Sequence, residues 1–272
     1  MKKNIAVTFC LIFYYSVCTA QIDTVLIYSN AMHKSSKAVI VKPSNYNDQK
    51  HFPVVYLLHG YDGDYGNWIK RVPQIQQWAD AFQLMIVCPD AAKSSWYLDS
   101  PIDTTYKYET YIGAEVPAYI DAHYKTIADR KARAITGLSM GGHGALFLGF
   151  RHQDLFGACG SMSGVVDLMK DKYDVIKRIG DTITHAEDWK NFSVINLIEK
   201  YPKDSIAIIF DCGTEDSFYQ INKSLHEKML QLKIKHDYIV RSGKHDWNYW
   251  GNAVVYQLLF FKKYFQSSIQ NR

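Results

Sequence analysis

The sequence predicts an α/β protein with a mostly parallel central sheet of about eight strands and helices on both faces. Short runs of apolar, β-branched or aromatic residues alternate with longer segments that have helical spacing. Strands separated by helix-length segments require crossover connections, which join parallel neighbours. The chain has 272 residues, is 47% hydrophobic and shows no internal repeat or linker, so one large core is favoured over two.

The individual elements follow from these runs. The predicted strands are 24–28, 37–41, 53–59, 84–88, 132–136, 156–162, 205–211 and 236–240. The predicted helices are 74–82, 108–123, 143–151, 217–232 and 247–265. The first two strands follow each other without a helix, so we expect them to form an antiparallel edge of the sheet.

The N-terminus has the pattern of a secretory signal peptide. Lys2 and Lys3 precede an apolar run at 5–17, and small residues at 18–20 favour cleavage after Ala20. The run is shorter than the roughly 20 residues that a membrane-spanning helix needs. We therefore expect a leader at 1–20, a single domain at 21–272, a secreted or periplasmic location and no stable membrane association.

Charge and cysteine content exclude several classes of protein. The formal net charge is +4, falls to +2 without the two leader lysines, and shows no basic cluster, so no nucleic-acid partner is expected. Without the leader, Cys88, Cys159 and Cys212 remain, and an odd number argues against a disulfide framework. All three lie in or beside apolar runs, which predicts buried thiols with no redox or metal role.

The stretch Gly137-Leu138-Ser139-Met140-Gly141 fits the G-x-S-x-G pattern of a nucleophile elbow. The pattern is informative here because a predicted strand leads into it and a glycine-rich helix start follows. A tight turn that holds a serine in unfavourable backbone geometry needs neighbours without a Cβ atom. Ser139 is therefore the candidate nucleophile.

A serine nucleophile needs a base and an acid that orients the base. His245 follows the last predicted strand in a loop, which favours it as the base, whereas His143 on the following helix is expected to pack. Asp211, Glu215 and Asp216 are the candidate acids. The order serine, acid, histidine is that of the α/β-hydrolase fold. Asp216 is favoured because it directly precedes a helix and has a short, rigid side chain; Glu215 remains the alternative.

Two backbone N–H groups are needed to stabilise an oxyanion. One follows the nucleophile, at Met140, and the other is expected at Tyr61, in the glycine-rich loop after the strand that ends at His59. His59 is expected to shape this loop or to contact substrate. Aromatic side chains near the motifs are candidates for stacking on sugars or on a phenolic acyl group, with core packing the alternative. They are Tyr61, Trp68, Trp96, Tyr97, Trp247 and Trp250.

Five stretches together resemble one esterase family: LLHGYDGDYGNW, SWYLDSP with YKYETYIGAEVPAYIDAHY, ITGLSMGGHGALFLGFRHQDLFGACGSMSG, DCGTEDSFY and GKHDWNYW. The family contains esterase D (S-formylglutathione hydrolase), tributyrin esterases, feruloyl and acetyl-xylan esterases, and mycolyltransferases. The resemblance implies an α/β-hydrolase fold with Ser139 as nucleophile, Asp216 as acid and His245 as base. It also implies that Tyr61 and Met140 supply the oxyanion donors, and that residues 165–203, the weakest match, border the substrate pocket.

These observations lead us to expect a serine esterase that needs no metal or organic cofactor and acts on a small-molecule or oligosaccharide ester. The predicted leader favours substrates that lie outside the cytoplasm, such as acetyl or feruloyl esters of carbohydrates. It disfavours a cytosolic thioester such as S-formylglutathione. A thioesterase and an acyltransferase remain alternatives because both use the same catalytic groups. A carbohydrate-binding relative without activity is disfavoured because serine, acid and histidine are all present.

Overall fold

The computed structural model describes residues 21–200 and 205–270 and has one eight-stranded sheet. The strand order is β1-β2-β4-β3-β5-β6-β7-β8. Strand β2 is antiparallel to both β1 and β4, and the remaining neighbours are parallel. The predicted α/β class, the strand number and the antiparallel edge are confirmed. The predicted leader, residues 1–20, lies outside the described residues.

The strands lie within a few residues of their predicted positions. They are β1 Gln21–Ser29, β2 Lys34–Lys42, β3 Val54–Leu58, β4 Met85–Pro89, β5 Arg133–Gly137, β6 Ala158–Met162, β7 Ala207–Gly213 and β8 Asp237–Arg241. The α-helices are α1 Asn67–Arg71, α2 Ile75–Phe82, α3 Tyr108–Thr110, α4 Val116–His123, α5 Met140–Arg151, α6 Lys172–Ile179, α7 Ala186–Phe192, α8 Val194–Leu197, α9 Tyr219–Gln231 and α10 Trp247–Gln270.

The central strands are apolar on both sides because helices cover both faces of the sheet. In strand β3, Val54, Tyr56 and Leu58 pack into the cluster on the face that α5 and α9 cover. Val55 and Leu57 point to the opposite face, which α2 and α10 cover. Successive side chains of a strand alternate between faces, so one five-residue run contributes to two cores.

Three parts of the chain differ from the sequence prediction. The short helix α1, Asn67–Arg71, lies where no helix was predicted. The predicted helix at 108–123 is interrupted by a π-helical segment, Tyr111–Glu115, between α3 and α4. Between β6 and β7, where no helix was predicted, the chain forms α6, α7 and α8. These helices have four to eight residues each, too short to give a clear periodic pattern.

Cys88, Cys159 and Cys212 are free and buried, as predicted. Burial raises the pKa of each thiol, so the thiolate form is disfavoured. Among the described residues, no helix is long and apolar enough to cross a membrane.

Two helical glycines provide a matched test of packing. A Cβ atom on Gly144 of α5 would lie 2.4 Å from the ring of Tyr97, whereas one on Gly251 of α10 would have 3.8 Å to Val72 as its nearest contact. Gly144→Ala should lower the free energy of unfolding by about 1–3 kcal/mol through overpacking. Gly251→Ala should raise it by about 0.5–1 kcal/mol, because alanine restricts the unfolded chain and favours helix. Urea unfolding of both variants measures the two changes, and equal stability of Gly144→Ala and the unchanged protein would contradict this packing.

Candidate active site

Ser139 lies at a sharp turn between strand β5 and helix α5. Its backbone has φ 53° and ψ −117°, a conformation that a residue with a side chain rarely adopts and that costs about 1–3 kcal/mol. Its N–H donates to the carbonyl oxygen of Met162 at 2.9 Å, and its own carbonyl accepts from the N–H of His143 at 3.0 Å. The end of β6 and the first turn of α5 therefore hold the strained residue in place.

Glycine is required on both sides of this turn. A Cβ atom on Gly137 would lie 2.7 Å from Leu58 and from the backbone of Gly141. One on Gly141 would lie 2.5 Å from the carbonyl oxygen of His59. Real Cβ atoms do not approach other atoms this closely, so the helix can pack against β3 only without side chains here. The elbow is thus a consequence of the G-x-S-x-G pattern.

The structure brings Ser139, His245 and Asp216 into one hydrogen-bonded chain. His245 lies in the loop between β8 and α10, and its Nε2 is 2.9 Å from the Oγ atom of Ser139. Its Nδ1 is 2.8 Å from Oδ2 of Asp216, which follows strand β7. The His245 ring packs edge-on against Phe218 and Trp250, with centroid distances of 5.0 and 4.8 Å. This is the geometry that a serine nucleophile, its base and an orienting acid require.

The environment of Asp216 favours its charged form. Burial by itself raises the pKa of Asp216, but hydrogen bonds from His245 and from the N–H of Phe218, at 2.8 Å, outweigh this effect and hold the pKa below its usual range. The side chain is fully buried, so the carboxylate has one fixed orientation toward the imidazole.

The other two candidate acids face elsewhere. Asp211 is buried in strand β7, where its Oδ2 accepts from Gln257 at 2.7 Å and where burial raises its pKa to about 6. Glu215 is exposed and accepts from the hydroxyl of Ser242 at 3.0 Å. Of the three, Asp216 alone has a hydrogen bond to His245 among the described contacts.

Two backbone N–H groups in the segments around the serine have no protein acceptor among the described residues. Within residues 21–200 and 205–270, neither the N–H of Tyr61 nor that of Met140 donates to another protein group. Met140 is the first residue of α5, and the first N–H groups of a helix have no partner within it. Tyr61 lies in the loop after β3, next to Gly60, and lines the same pocket as Ser139.

The pocket beside Ser139 and His245 has a volume of about 220 Å³. Apart from the serine and histidine, its walls are mainly aromatic and aliphatic. They consist of Gly60, Tyr61, Asn67, Leu138, Trp247 and Trp250. Trp247 is thus placed where it was expected, whereas Asn67 and Leu138 were missed by sequence reasoning. Trp250, one of the aromatic candidates named from the sequence, lines the same pocket about one helical turn from Trp247.

Three predicted substrate contacts lie away from the pocket surface instead. Trp68 is fully buried, donates from Nε1 to the carbonyl of Leu58 at 3.0 Å and supports Trp247 edge-on at 5.2 Å. Trp96 is buried against His143, at 5.9 Å between ring centroids. His59 is also buried, and both its ring nitrogens bond to backbone atoms. All three pack behind the loops that carry the pocket, which sequence position alone does not reveal.

A serine at the elbow after β5, an acid after β7 and a histidine after the last strand are the arrangement of the α/β-hydrolase fold. The family model described as "Putative esterase" matches residues 29–261, so the chain belongs to this esterase family and is an ester hydrolase. An acetyl esterase of Caldicellulosiruptor saccharolyticus is 25% identical over 250 residues, which cover 84% of this chain and 93% of that protein.

Two further comparisons agree with this assignment. An S-formylglutathione hydrolase of Bos taurus is 23% identical over 198 residues, which cover 65% of this chain and 69% of the relative. The solved structure of a ferulic acid esterase superposes with a TM-score of 0.79 and 28% identity, over 90% of this chain and 98% of that one. The expected fold and family are confirmed.

Proposed function

We propose that this protein is a serine carboxylic-ester hydrolase that works through an acyl-enzyme at Ser139. The observation that carries the proposal is the continuous chain of contacts from Asp216 through His245 to Ser139, at 2.8 and 2.9 Å, beside a pocket. Membership of the esterase family supports ester cleavage independently of this geometry.

In the first half of the reaction, Nε2 of His245 takes the proton of Ser139 as Oγ attacks the carbonyl carbon of the ester. The carbonyl oxygen becomes an oxyanion and accepts hydrogen bonds from the N–H groups of Tyr61 and Met140. As the tetrahedral intermediate collapses, the bond to the alcohol oxygen breaks, and His245 returns the proton to the leaving alkoxide. Asp216 holds Nδ1–H and so keeps Nε2 free to accept the serine proton.

In the second half, His245 takes a proton from water, and the resulting hydroxide attacks the acyl carbon. The bond to Oγ then breaks, the acid leaves, and Ser139 regains its proton. No metal or organic cofactor takes part in these steps.

The pocket favours a short acyl chain or one planar aromatic ring. Its volume of about 220 Å³ lies below the roughly 300–1,000 Å³ typical of drug-sized ligand sites, so a long lipid chain fits poorly. Tryptophan walls suit a flat phenolic acyl group as well as a small one. Similarity to an acetyl esterase and a ferulic acid esterase supports acetyl or feruloyl esters of carbohydrates as substrates. The S-formylglutathione hydrolase relative makes a thioester the second candidate.

We further propose that residues 1–20 are a cleaved leader and that 21–272 form the exported domain. The intact mass of exported protein should then correspond to a chain that begins at or near Gln21. Retention of Met1 in exported protein would contradict this proposal.

Ser139→Ala should abolish hydrolysis, by a factor on the order of 10⁶ in kcat, because no other positioned oxygen forms the acyl-enzyme. The assay compares short p-nitrophenyl esters, methyl ferulate, acetylated xylan and an acyl thiol, and the best substrate identifies the ester class. Ser267→Ala, an exposed serine on α10, is the control and should retain full activity. Substantial activity of a folded Ser139→Ala variant would refute the mechanism.

The acid can be tested by paired amide substitutions. Asp216→Asn should keep the fold and lower kcat by about 10⁴-fold, because an amide there favours the wrong histidine tautomer. Glu215→Gln should cost less than about tenfold, since its exposed carboxylate accepts from Ser242 and has no described contact with His245. Steady-state kinetics on the preferred ester measure both, and the reverse order of effects would show that the acid is misassigned.

A further inference from the structure

His59 lies beneath the loop that carries Tyr61. The residue is 1% exposed and does not line the pocket beside Ser139. Nδ1 lies 2.8 Å from the carbonyl oxygen of Gly60, and Nε2 lies 3.0 Å from the backbone nitrogen of Ala91. The ring therefore connects the loop after β3 to the segment that follows β4.

These two contacts define one protonation state. The N–H of Ala91 only donates, so Nε2 must accept, and the carbonyl of Gly60 only accepts, so Nδ1 must carry the proton. A doubly protonated ring would oppose N–H to N–H at Ala91. Burial lowers the pKa of His59, although the nearby carboxylates of Asp90 and Asp64 raise it. Tyr97 is a further titratable residue beside the ring, at 5.9 Å between ring centroids.

The contact with Gly60 bears directly on the oxyanion site. The carbonyl of Gly60 and the N–H of Tyr61 belong to the same planar peptide unit and point in opposite directions. A donor that fixes the carbonyl oxygen therefore fixes the direction of the Tyr61 N–H. The N–H of Gly63 also donates to this carbonyl, at 3.1 Å, so the imidazole acts together with a turn of the loop.

The backbone of His59 is anchored on its other side by Tyr97. The Tyr97 hydroxyl donates to the carbonyl oxygen of His59 at 2.8 Å. Tyr97 has a left-handed backbone, φ 60°, and its ring lies against Gly144 of the nucleophile helix. His59 therefore anchors the loop to the segment that follows β4, and Tyr97 anchors it to helix α5.

We propose that His59 is a positioning residue whose neutral, Nδ1-protonated imidazole aims the N–H of Tyr61 at the substrate oxyanion. This inference rests on the acyl-enzyme mechanism proposed above. The loss of one oxyanion donor costs about 10²- to 10³-fold in kcat, and a misaimed donor costs part of that. Because the donor acts mainly on the transition state, kcat changes and KM stays nearly constant.

Two amide substitutions separate the two ring contacts. The side-chain nitrogen of asparagine reaches the position of Nδ1, so His59→Asn keeps a donor to Gly60 and loses the acceptor for Ala91. His59→Gln places its amide at the position of Nε2, so it keeps the acceptor and loses the donor. We expect His59→Gln to lower kcat about 10- to 100-fold with KM within about threefold, and His59→Asn to lose less than about fivefold.

The controls are the same two substitutions at His123, an exposed histidine on α4 whose one hydrogen bond among the described residues is to the carbonyl oxygen of Tyr119. Thermal unfolding of all variants is measured in parallel. Equal kcat for His59→Asn and His59→Gln, or losses that follow stability alone, would overturn the inference. If Ser139→Ala remains active, the proposed mechanism itself fails. If Ser139→Ala is inactive but His59→Asn and His59→Gln have equal kcat, the mechanism stands and the positioning role of His59 falls.

Nitrogen-15 NMR of the imidazoles in the unsubstituted protein gives a test that needs no variant to fold. His59 should show a protonated Nδ1 and an unprotonated Nε2 at neutral pH. The opposite tautomer, or a doubly protonated ring, would contradict the contacts with Gly60 and Ala91.

Discussion

The strained backbone of Ser139 is the constraint on which the rest of the site depends. A φ of 53° in a residue with a side chain persists only where surrounding contacts over-determine it. Here strand β6 accepts its N–H, helix α5 donates to its carbonyl, and Gly137 and Gly141 leave room for the helix against β3. The turn places the hydroxyl at the end of the sheet, next to the N–H of Met140, which has no acceptor among the described residues.

The parallel sheet then determines where the partners of Ser139 lie. Loops that follow parallel strands emerge at the same edge, so the chain delivers Asp216 after β7 and His245 after β8 to one place, although His245 is 106 positions from the serine. Buried strands that pack on both faces hold this edge rigidly. Precision at the 2.8–2.9 Å contacts is therefore a property of the whole sheet.

The sequence predicted the parts of the molecule that local patterns determine. Alternating apolar runs located all eight strands, and G-x-S-x-G located the elbow, because both signals lie within a few neighbouring residues. The short helices α1 and α6 to α8 were missed, and the sequence left Trp68 and Trp96 open between substrate contact and core packing, since tertiary packing decides both. The sequence favoured Asp216 over Glu215 as the acid but left Glu215 as an alternative. The two residues are neighbours in the chain, and only the structure shows which of the two side chains points to His245.

The most direct test of the account is a crystal structure of the protein after reaction with a fluorophosphonate ester. We expect a covalent bond between phosphorus and Oγ of Ser139, with the phosphoryl oxygen within hydrogen-bonding distance of the N–H groups of Tyr61 and Met140. Phosphorus bound to another residue, or a phosphoryl oxygen that points to solvent with neither N–H in contact, would contradict it.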